Sequence, residues 1–352
     1  MTESTGRRLD SSHRSTPPSP KLFFEVARGY QRTAVLKAAL DLDLFTAIGE
    51  GHQMVDELAR RCEASERGMR ILCDYLTIIG LLTKEGERYH LTPESSAFLD
   101  RRSPTCLASV LDFLYAPPMT DGFQTVTEAV RRGGTALPDG GPLAPEHPAW
   151  VNFARAMQPM AALMARSIPP LIDPHRAPRL RVLDVAAGHG EYGIALARHN
   201  PAAEIVALDW PNVLQVAVEN AEKAGIGHRY RTIAGSAFDA DWGSGYDVVL
   251  LNNFLHHFDP PTCERLLRKV HAALVTGGRA VALEFVPNED RVTPPETATF
   301  SMIMLVTTPR GDAYTFVQYQ DMFRNAGFSR TELVPLPPPS AQQLVISYKE
   351  AK

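Results

Sequence analysis

From Leu22 onward the apolar positions recur with a helical period: Phe23, Val26, Ala27, Tyr30, Ala34, Val35 and Ala38 would share one face. A second patch follows at Leu40, Leu42, Leu44 and Phe45, then a short helix carrying Val55, Leu58, Ala59 and Cys62. Beyond Ser65 the spacing predicts a helix with Met69, Leu72, Leu76 and Ile79 inward, ended by Gly80. Leu81-Leu82-Thr83 and Tyr89-His90-Leu91-Thr92 flank a Glu85-Gly86 turn and read as a small hairpin. Helix, turn, helix and hairpin outline a winged helix. A DNA-reading helix must offer cations and polar groups to phosphates and base edges. Here the corresponding helix has only Arg67 and Arg70, beside Glu66 and Asp74, among Ile71, Leu72, Tyr75, Ile78 and Ile79. A helix apolar on most sides seeks burial, which favours dimerisation over DNA.

The stretch from about Leu107 to Ile172 is mainly helical, interrupted by a Gly/Pro-rich loop from Gly133 to Pro148. The helix after that loop carries Trp150, Phe153, Ala156, Met157, Met160 and Leu163. Methionines at this spacing fill cores or line pliable pockets. After Pro178 strand and helix alternate. Strands are predicted at Arg181–Val185, Glu204–Leu208, Tyr230–Ala234, Asp247–Leu251 and Arg279–Phe285, with helices at Tyr192–His199, Val213–Ala224 and Pro261–Leu274. That order predicts an α/β, Rossmann-like parallel sheet with helices on both faces. A last helix, Val317–Ala326, precedes two segments near Thr331–Leu336 and Leu344–Tyr348, whose short link through Pro337-Pro338-Pro339 favours an antiparallel pair.

Composition narrows the class. The chain has 352 residues and a formal charge of −4, with 44% hydrophobic and 22% charged residues. These values describe an ordinary globular protein and give no basic surplus for nucleic acid or acidic membrane. The four cysteines form no CxxC pair, so neither a zinc site nor a disulfide framework is expected, and reduced thiols suit the cytoplasm. No apolar run is long enough to span a membrane. The Ser-, Arg- and Pro-rich segment 1–20 has no apolar stretch of the secretory kind and is expected to be a disordered tail.

The candidate chemistry begins at Asp184-Val185-Ala186-Ala187-Gly188-His189-Gly190, a loop between the first strand and its helix. Such a loop brings backbone N–H groups and a helix N-terminus close to a ligand. Gly193 completes a literal GxGxxG, and Asp209 ends the second strand, where a carboxylate can grip ribose hydroxyls. A dinucleotide or any adenosine-bearing cofactor would satisfy these features, which keeps an NAD-dependent oxidoreductase in view. Three observations favour S-adenosylmethionine. Asp184 would repel a pyrophosphate but suits a cationic amino-acid end. Gly235-Ser236-Ala237-Phe238-Asp239 follows the third strand, where an adenine edge would rest, and the terminal strands look antiparallel.

DVAAGHG, LDW, GSAFD and LLNNFLHHF, in this order and spacing, resemble the class I methyltransferase motifs. With the winged helix, FARAMQPM and AYTFVQYQDMFRNAGF, the chain resembles bacterial small-molecule O-methyltransferases related to plant caffeic-acid and acetylserotonin O-methyltransferases. The resemblance implies a winged-helix dimerisation domain (21–106), a helical connector lining the substrate pocket (107–178) and a methyltransferase domain (179–352). It implies a homodimer, S-adenosylmethionine as cofactor with S-adenosylhomocysteine as product, a small aromatic or polyketide-like acceptor, and no metal.

Within that resemblance His256 takes the place of the base and Glu284 that of its carboxylate partner. Asp184, Gly188, Gly190, Asp209, Trp210, Ser236, Ala237, Phe238 and Asn252 are expected at the cofactor, and Phe153, Met157, Met160, His257 and Met302 at the acceptor. Arg166 is a further candidate for the cofactor carboxylate, with a solvated surface arginine as the competing reading. The chain departs from the family where an acid and a tryptophan usually follow the base: it has His257 and Phe258. The family's second glutamate maps near Ala313, beside Asp312, and Ser236-Ala237 replaces Asp-Met. These departures leave room for a structural His256 and for a C-methyltransferase without an essential base.

Overall fold

The computed structural model describes residues 18–143, 146–173, 175–338 and 340–350. Residues 1–17 of the expected tail, and Pro339 in the link between the last two strands, lie outside the described residues. The chain divides after Arg102 into two compact units.

In the first unit the predicted opening helix is two helices, Lys21–Ala27 and Gly29–Asp41, broken where Arg28 leaves helical geometry. Helices Leu44–Gly49, Val55–Arg61 and Glu66–Ile78 follow, and the Ser65 hydroxyl caps the last by accepting from the Gly68 N–H at 3.1 Å. Strands β1 (Leu82–Glu85) and β2 (Arg88–Leu91) form the hairpin, with Leu82 opposite Leu91. The inward stripe of Glu66–Ile78 is Met69, Cys73 and Leu76; Leu72 and Ile79 are only half-buried, because an i, i+4, i+7 stripe from Met69 passes through Cys73. Arg70 is tied to Asp74 at 2.9 Å. An apolar set stays outside: Phe23, Val26 and Tyr30 on the opening helices and Ile78, 80% exposed.

The second unit carries a seven-stranded sheet: β3 (Leu180–Val185), β4 (Ala203–Asp209), β5 (Tyr230–Ala234), β6 (Tyr246–Leu250), β7 (Leu274–Glu284), β8 (Arg330–Pro335) and β9 (Gln343–Tyr348). Its order is β5-β4-β3-β6-β7-β9-β8. The first five are parallel, while β9 runs antiparallel to both β7 and β8, as the short proline link predicts. Strand β3 is apolar on both faces (Leu180, Val182, Leu183 and Val185 are all buried), as a parallel strand covered by helices must be. Helices Glu191–His199 and Pro211–Lys223 pack in one core layer with Ile168 and Ile172, and Pro260–Ala273 with Phe316–Asn325 in the other. No helix among the described residues is long and apolar enough to cross a membrane.

Candidate active site

The candidate residues gather where the parallel strands end, on the edge where α/β sheets bind ligands. Asp184 stands near the tip of β3, 1% exposed, and its Oδ2 has no hydrogen-bond partner. Burial pushes this carboxyl up to about 8, against a weaker lowering by the Gly193 amide. Gly190 closes the loop at φ +76°, and a Cβ there would lie 2.6 Å from the Tyr230 hydroxyl. Gly193 lets helix Glu191–His199 approach the sheet: a Cβ would lie 2.8 Å from Ile205 and 3.1 Å from Asp184 Oδ2. Only glycine meets both demands without displacing the loop.

Asp209 ends β4. Its Oδ2 accepts from the Gly188 N–H at 2.8 Å and its Oδ1 from the Trp210 N–H at 2.7 Å. Burial, opposed by those two amides, leaves the carboxyl at about 6. The Asp209 side chain therefore holds the glycine loop to the end of β4. Trp210 starts helix Pro211–Lys223 and packs against Ala154, Val213 and Val216. Asn252, two residues past β6, is 8% exposed, and neither of its amide atoms has a partner.

After β5 the Ser236 hydroxyl accepts from the Phe238 N–H at 3.1 Å, so it supports its own loop. Ala237 is buried, and the Phe238 ring packs edge-on against Phe258, 5.1 Å away, beneath the Arg265 guanidinium. The ring of Phe238 is thus committed to packing.

The histidines lie in a 3-10 turn, Leu255–His257, after β6. His256 is 3% exposed and its Nδ1 lies 2.5 Å from Glu284 Oε2; Glu284, at the end of β7, is fully buried. The other carboxylate oxygen of Glu284 accepts from the Phe254 and Leu255 N–H groups at 3.2 and 3.0 Å. Glu284 thereby fixes both the ring and the turn that carries it. With Nδ1 on the carboxylate, Nε2 is the ring nitrogen left for other chemistry. His257 lies 4.3 Å from the His256 ring, and its Nδ1 pairs with the Phe254 carbonyl at 3.2 Å. Desolvation first, and the His256 ring second, hold His257 well below its ordinary value, so it is neutral at pH 7.

Aromatic rings wall the pair. Trp150 meets His257 edge-on at 5.3 Å; Phe300 meets His256 at 4.8 Å and stacks on Phe285 at 4.0 Å. Phe153 joins Trp150 and Phe113 in edge-to-face contacts. Met157 and Met160 lie half-buried on the same helix, Pro148–Met164, and Met302 is 43% exposed on helix Phe300–Thr307. Thr135 anchors that second helix, bonding the Val306 and Thr308 carbonyls at 2.7 and 2.8 Å.

Several predicted residues stand apart. Arg166 is exposed on a surface recess with Glu191, Ala195, Arg198 and His199, which runs the length of helix Glu191–His199. Asp312 pairs with Arg291 at 2.9 Å, and only its backbone N–H touches the site, donating to the His256 carbonyl at 3.0 Å. Ala313 is buried, so among the described residues Glu284 alone hydrogen-bonds the His256 ring. Phe300 heads the apolar segment Phe300–Met304, which the sequence offers either as a pocket wall or as core, whereas Trp150 and Phe285 carry no sequence signal for the site beyond aromatic type. No group of three His, Cys, Asp or Glu among the described residues could hold a metal.

Comparison with known proteins decides the family. Residues 145–329 match the O-methyltransferase domain and residues 24–101 the O-methyltransferase dimerisation domain. The chain belongs to the O-methyltransferase family. It is an S-adenosylmethionine-dependent methyltransferase. A curated relative, 3-hydroxy-5-methyl-1-naphthoate 3-O-methyltransferase of Streptomyces sahachiroi, is 31% identical over 95% of this chain and 97% of its own. An O-methyltransferase candidate from Nostoc punctiforme, known as a crystal structure, is 53% identical, with a TM-score of 0.91 over 94% of this chain and 100% of that one. Human N-acetylserotonin methyltransferase in complex with S-adenosylmethionine shares the fold at 23% identity, TM-score 0.82, covering 96% of this chain and 99% of its own.

Proposed function

We propose that this methyltransferase moves a methyl group from S-adenosylmethionine to the hydroxyl of a small, flat, aromatic or polyketide-like metabolite. The observation that carries the oxygen assignment is the buried His256–Glu284 pair at 2.5 Å. A phenolic hydroxyl must lose its proton as it attacks, and a histidine held in one tautomer by a carboxylate is built to take it. The aromatic walls from Trp150, Phe153 and Phe300, with Met157, Met160 and Met302, suit a flat apolar acceptor. The naphthoate named for the Streptomyces sahachiroi relative is of that class.

The chain's residues fit the cofactor. Asp184 Oδ2 and both amide atoms of Asn252 are buried polar atoms without partners, a cost that a ligand with an ammonium and carboxylate end would relieve. Asp184 would take the ammonium, with Gly188 and Gly190 letting the backbone approach. Asp209 would hold the ribose, Trp210 would flank it, and Ser236, Ala237 and Phe238 would border the adenine. When bound, S-adenosylmethionine supplies an electrophilic methyl on a sulfonium. The protein's part is to align the acceptor and hold its proton on His256 Nε2, an in-line arrangement that removes much of the entropic barrier. Burial already disfavours charge on Asp184, and a pyrophosphate beside it would disfavour that charge further where an ammonium would relieve it, which speaks against NAD.

The exposed Val26, Tyr30 and Ile78, in the part that matches a dimerisation domain, support a homodimer; Arg70 tied to Asp74 and outward Ile71 and Ile78 disfavour a nucleic-acid partner. Four free cysteines suit work in the cytoplasm. The test is calorimetry with S-adenosylhomocysteine and NADH, then mass and NMR analysis of product from a panel of hydroxynaphthoates and naphthols. Binding of NADH instead of S-adenosylhomocysteine would refute the cofactor reading. A methyl found on ring carbon would refute the oxygen assignment.

A further inference from the structure

We propose that Lys269 is a positioning residue for the cofactor: from the outer helix it fixes the loop after β5 in the conformation that receives adenosine. The inference rests on the reading, above, that this loop borders the adenine.

Lys269 lies on helix Pro260–Ala273, half-buried. Its ammonium donates to the carbonyls of Ala237 at 3.2 Å, Phe238 at 3.0 Å and Ala240 at 2.6 Å. Three donors meet three acceptors, so the group is saturated within the protein. It also lies 4.4 Å from the centroid of the buried Trp242 ring, within cation–π range. One helical turn earlier, Arg265 covers the Phe238 ring at 5.3 Å. Two cations at i and i+4 thus grip the same loop, one by its carbonyls and one by its aromatic side chain.

The loop needs such a grip. It leaves β5 at Gly235, whose N–H donates to the Asp209 carbonyl at 2.9 Å, and winds into one turn in which Ala240 N–H bonds the Ser236 carbonyl at 2.9 Å. A single turn is too short to be stable alone, and its carbonyls converge without helical partners. A lysine at that carbonyl end supplies what a continuing helix would, with favourable charge. The same Gly235–Asp209 bond ties the loop to the strand end that carries the proposed ribose carboxylate. Displacement of the turn would therefore shift Ser236 and Ala237 relative to Asp209, while His256, Glu284 and the aromatic walls would keep their own supports.

The prediction is a split in kinetics. Lys269→Met keeps most of the stem and removes the three donors. Its KM for S-adenosylmethionine should rise about tenfold or more, with the dissociation constant for S-adenosylhomocysteine rising in parallel. Saturating kcat and the acceptor KM should stay within about twofold. Amide deuterium exchange of the peptide covering residues 235–242 should speed up without cofactor, and Lys269→Arg should recover part of both effects. General loss of folded protein would instead lower kcat through the active fraction and leave KM alone. Should Lys269→Met not fold, Lys269→Arg and Lys269→Gln are read in the same way. Unchanged cofactor KM and loop exchange in a folded variant overturn the proposal. If the wild-type protein itself fails to bind S-adenosylhomocysteine, it is the functional reading that falls.

Discussion

Replacing Glu284 by glutamine isolates the contribution of the buried pair. The carboxylate has three short-range partners: the Phe254 and Leu255 amides on Oε1 and His256 Nδ1 on Oε2. Glutamine can keep the first two, since its carbonyl accepts both N–H groups. The third reverses: the amide NH₂ now faces Nδ1, which must become an acceptor, and the ring proton moves to Nε2. The nitrogen that should take the acceptor's proton is then already protonated. The substitution also removes the anion that stabilises a forming imidazolium, a charge-assisted hydrogen bond of ~1.5–3 kcal/mol. Adding the cost of restoring the reactive tautomer gives ~4 kcal/mol, or about 10³-fold in kcat at 1.36 kcal/mol per decade. Stopped assays at saturating acceptor and cofactor read kcat; calorimetry with S-adenosylhomocysteine and a thermal melt, both nearly unchanged, show that the fold and cofactor site survive. A kcat within about threefold of wild type, with binding intact, refutes the base assignment and returns His256 to a structural role.

Other outcomes follow from the same geometry. Because burial raises Asp184 to about 8 without a ligand, S-adenosylhomocysteine must displace a proton, so its affinity should fall as pH drops below about 8, by up to roughly tenfold per unit; affinity flat from pH 6 to 8.5 would count against a carboxylate–ammonium contact. The same shift makes the folded protein hold a proton that the unfolded chain releases near pH 4. The stability contributed by Asp184 should therefore decline as pH rises from about 4 to about 8, and Asp184→Asn should melt higher than wild type at pH 8 while losing S-adenosylhomocysteine binding. Phe300→Ala removes the stack on Phe285 and the edge contact with His256, and should raise the acceptor KM about fivefold or more with cofactor KM unchanged; equal acceptor KM would exclude the ring from the acceptor wall. Val26→Glu, at a position 73% exposed, should shift the molar mass by light scattering from dimer to monomer and remove the concentration dependence of the melt; a persistent dimer would place the interface elsewhere.

The sheet was legible because parallel strands buried on both faces read as short apolar runs, and turn residues mark their ends. Asp184 and Asp209 stand out as candidates because each sits at such an end, while Glu284 comes into view through the family resemblance. Periodicity names the elements but not their partners, which limited the rest. It ran Lys21–Ala27 and Gly29–Asp41 together, since the break at Arg28 preserves the apolar spacing. It chose Ile79 over Cys73 because a thiol contributes weakly to hydrophobic pattern yet packs as well as a small apolar side chain. Trp150 against His257 and Lys269 against the Ala237 carbonyl join residues about a hundred and about thirty positions apart, respectively, and no local spacing encodes such meetings. The proximity of Asp312 to the family's glutamate position is likewise silent about Arg291, which claims its carboxylate.

The strand order has an evolutionary consequence. Loops after β3, β4 and β5 lie on one side of the sheet's midline, and the turn after β6, the end of β7 and the insertion from Val286 to Thr308 on the other. The two halves meet between β3 and β6. Residues 286–308 can thus vary, lengthen or be exchanged between homologues without moving the backbone proposed to hold the methyl donor. Exchanging that insertion between relatives is therefore expected to change the acceptor while Asp184, Asp209 and the loop after β5 stay in place.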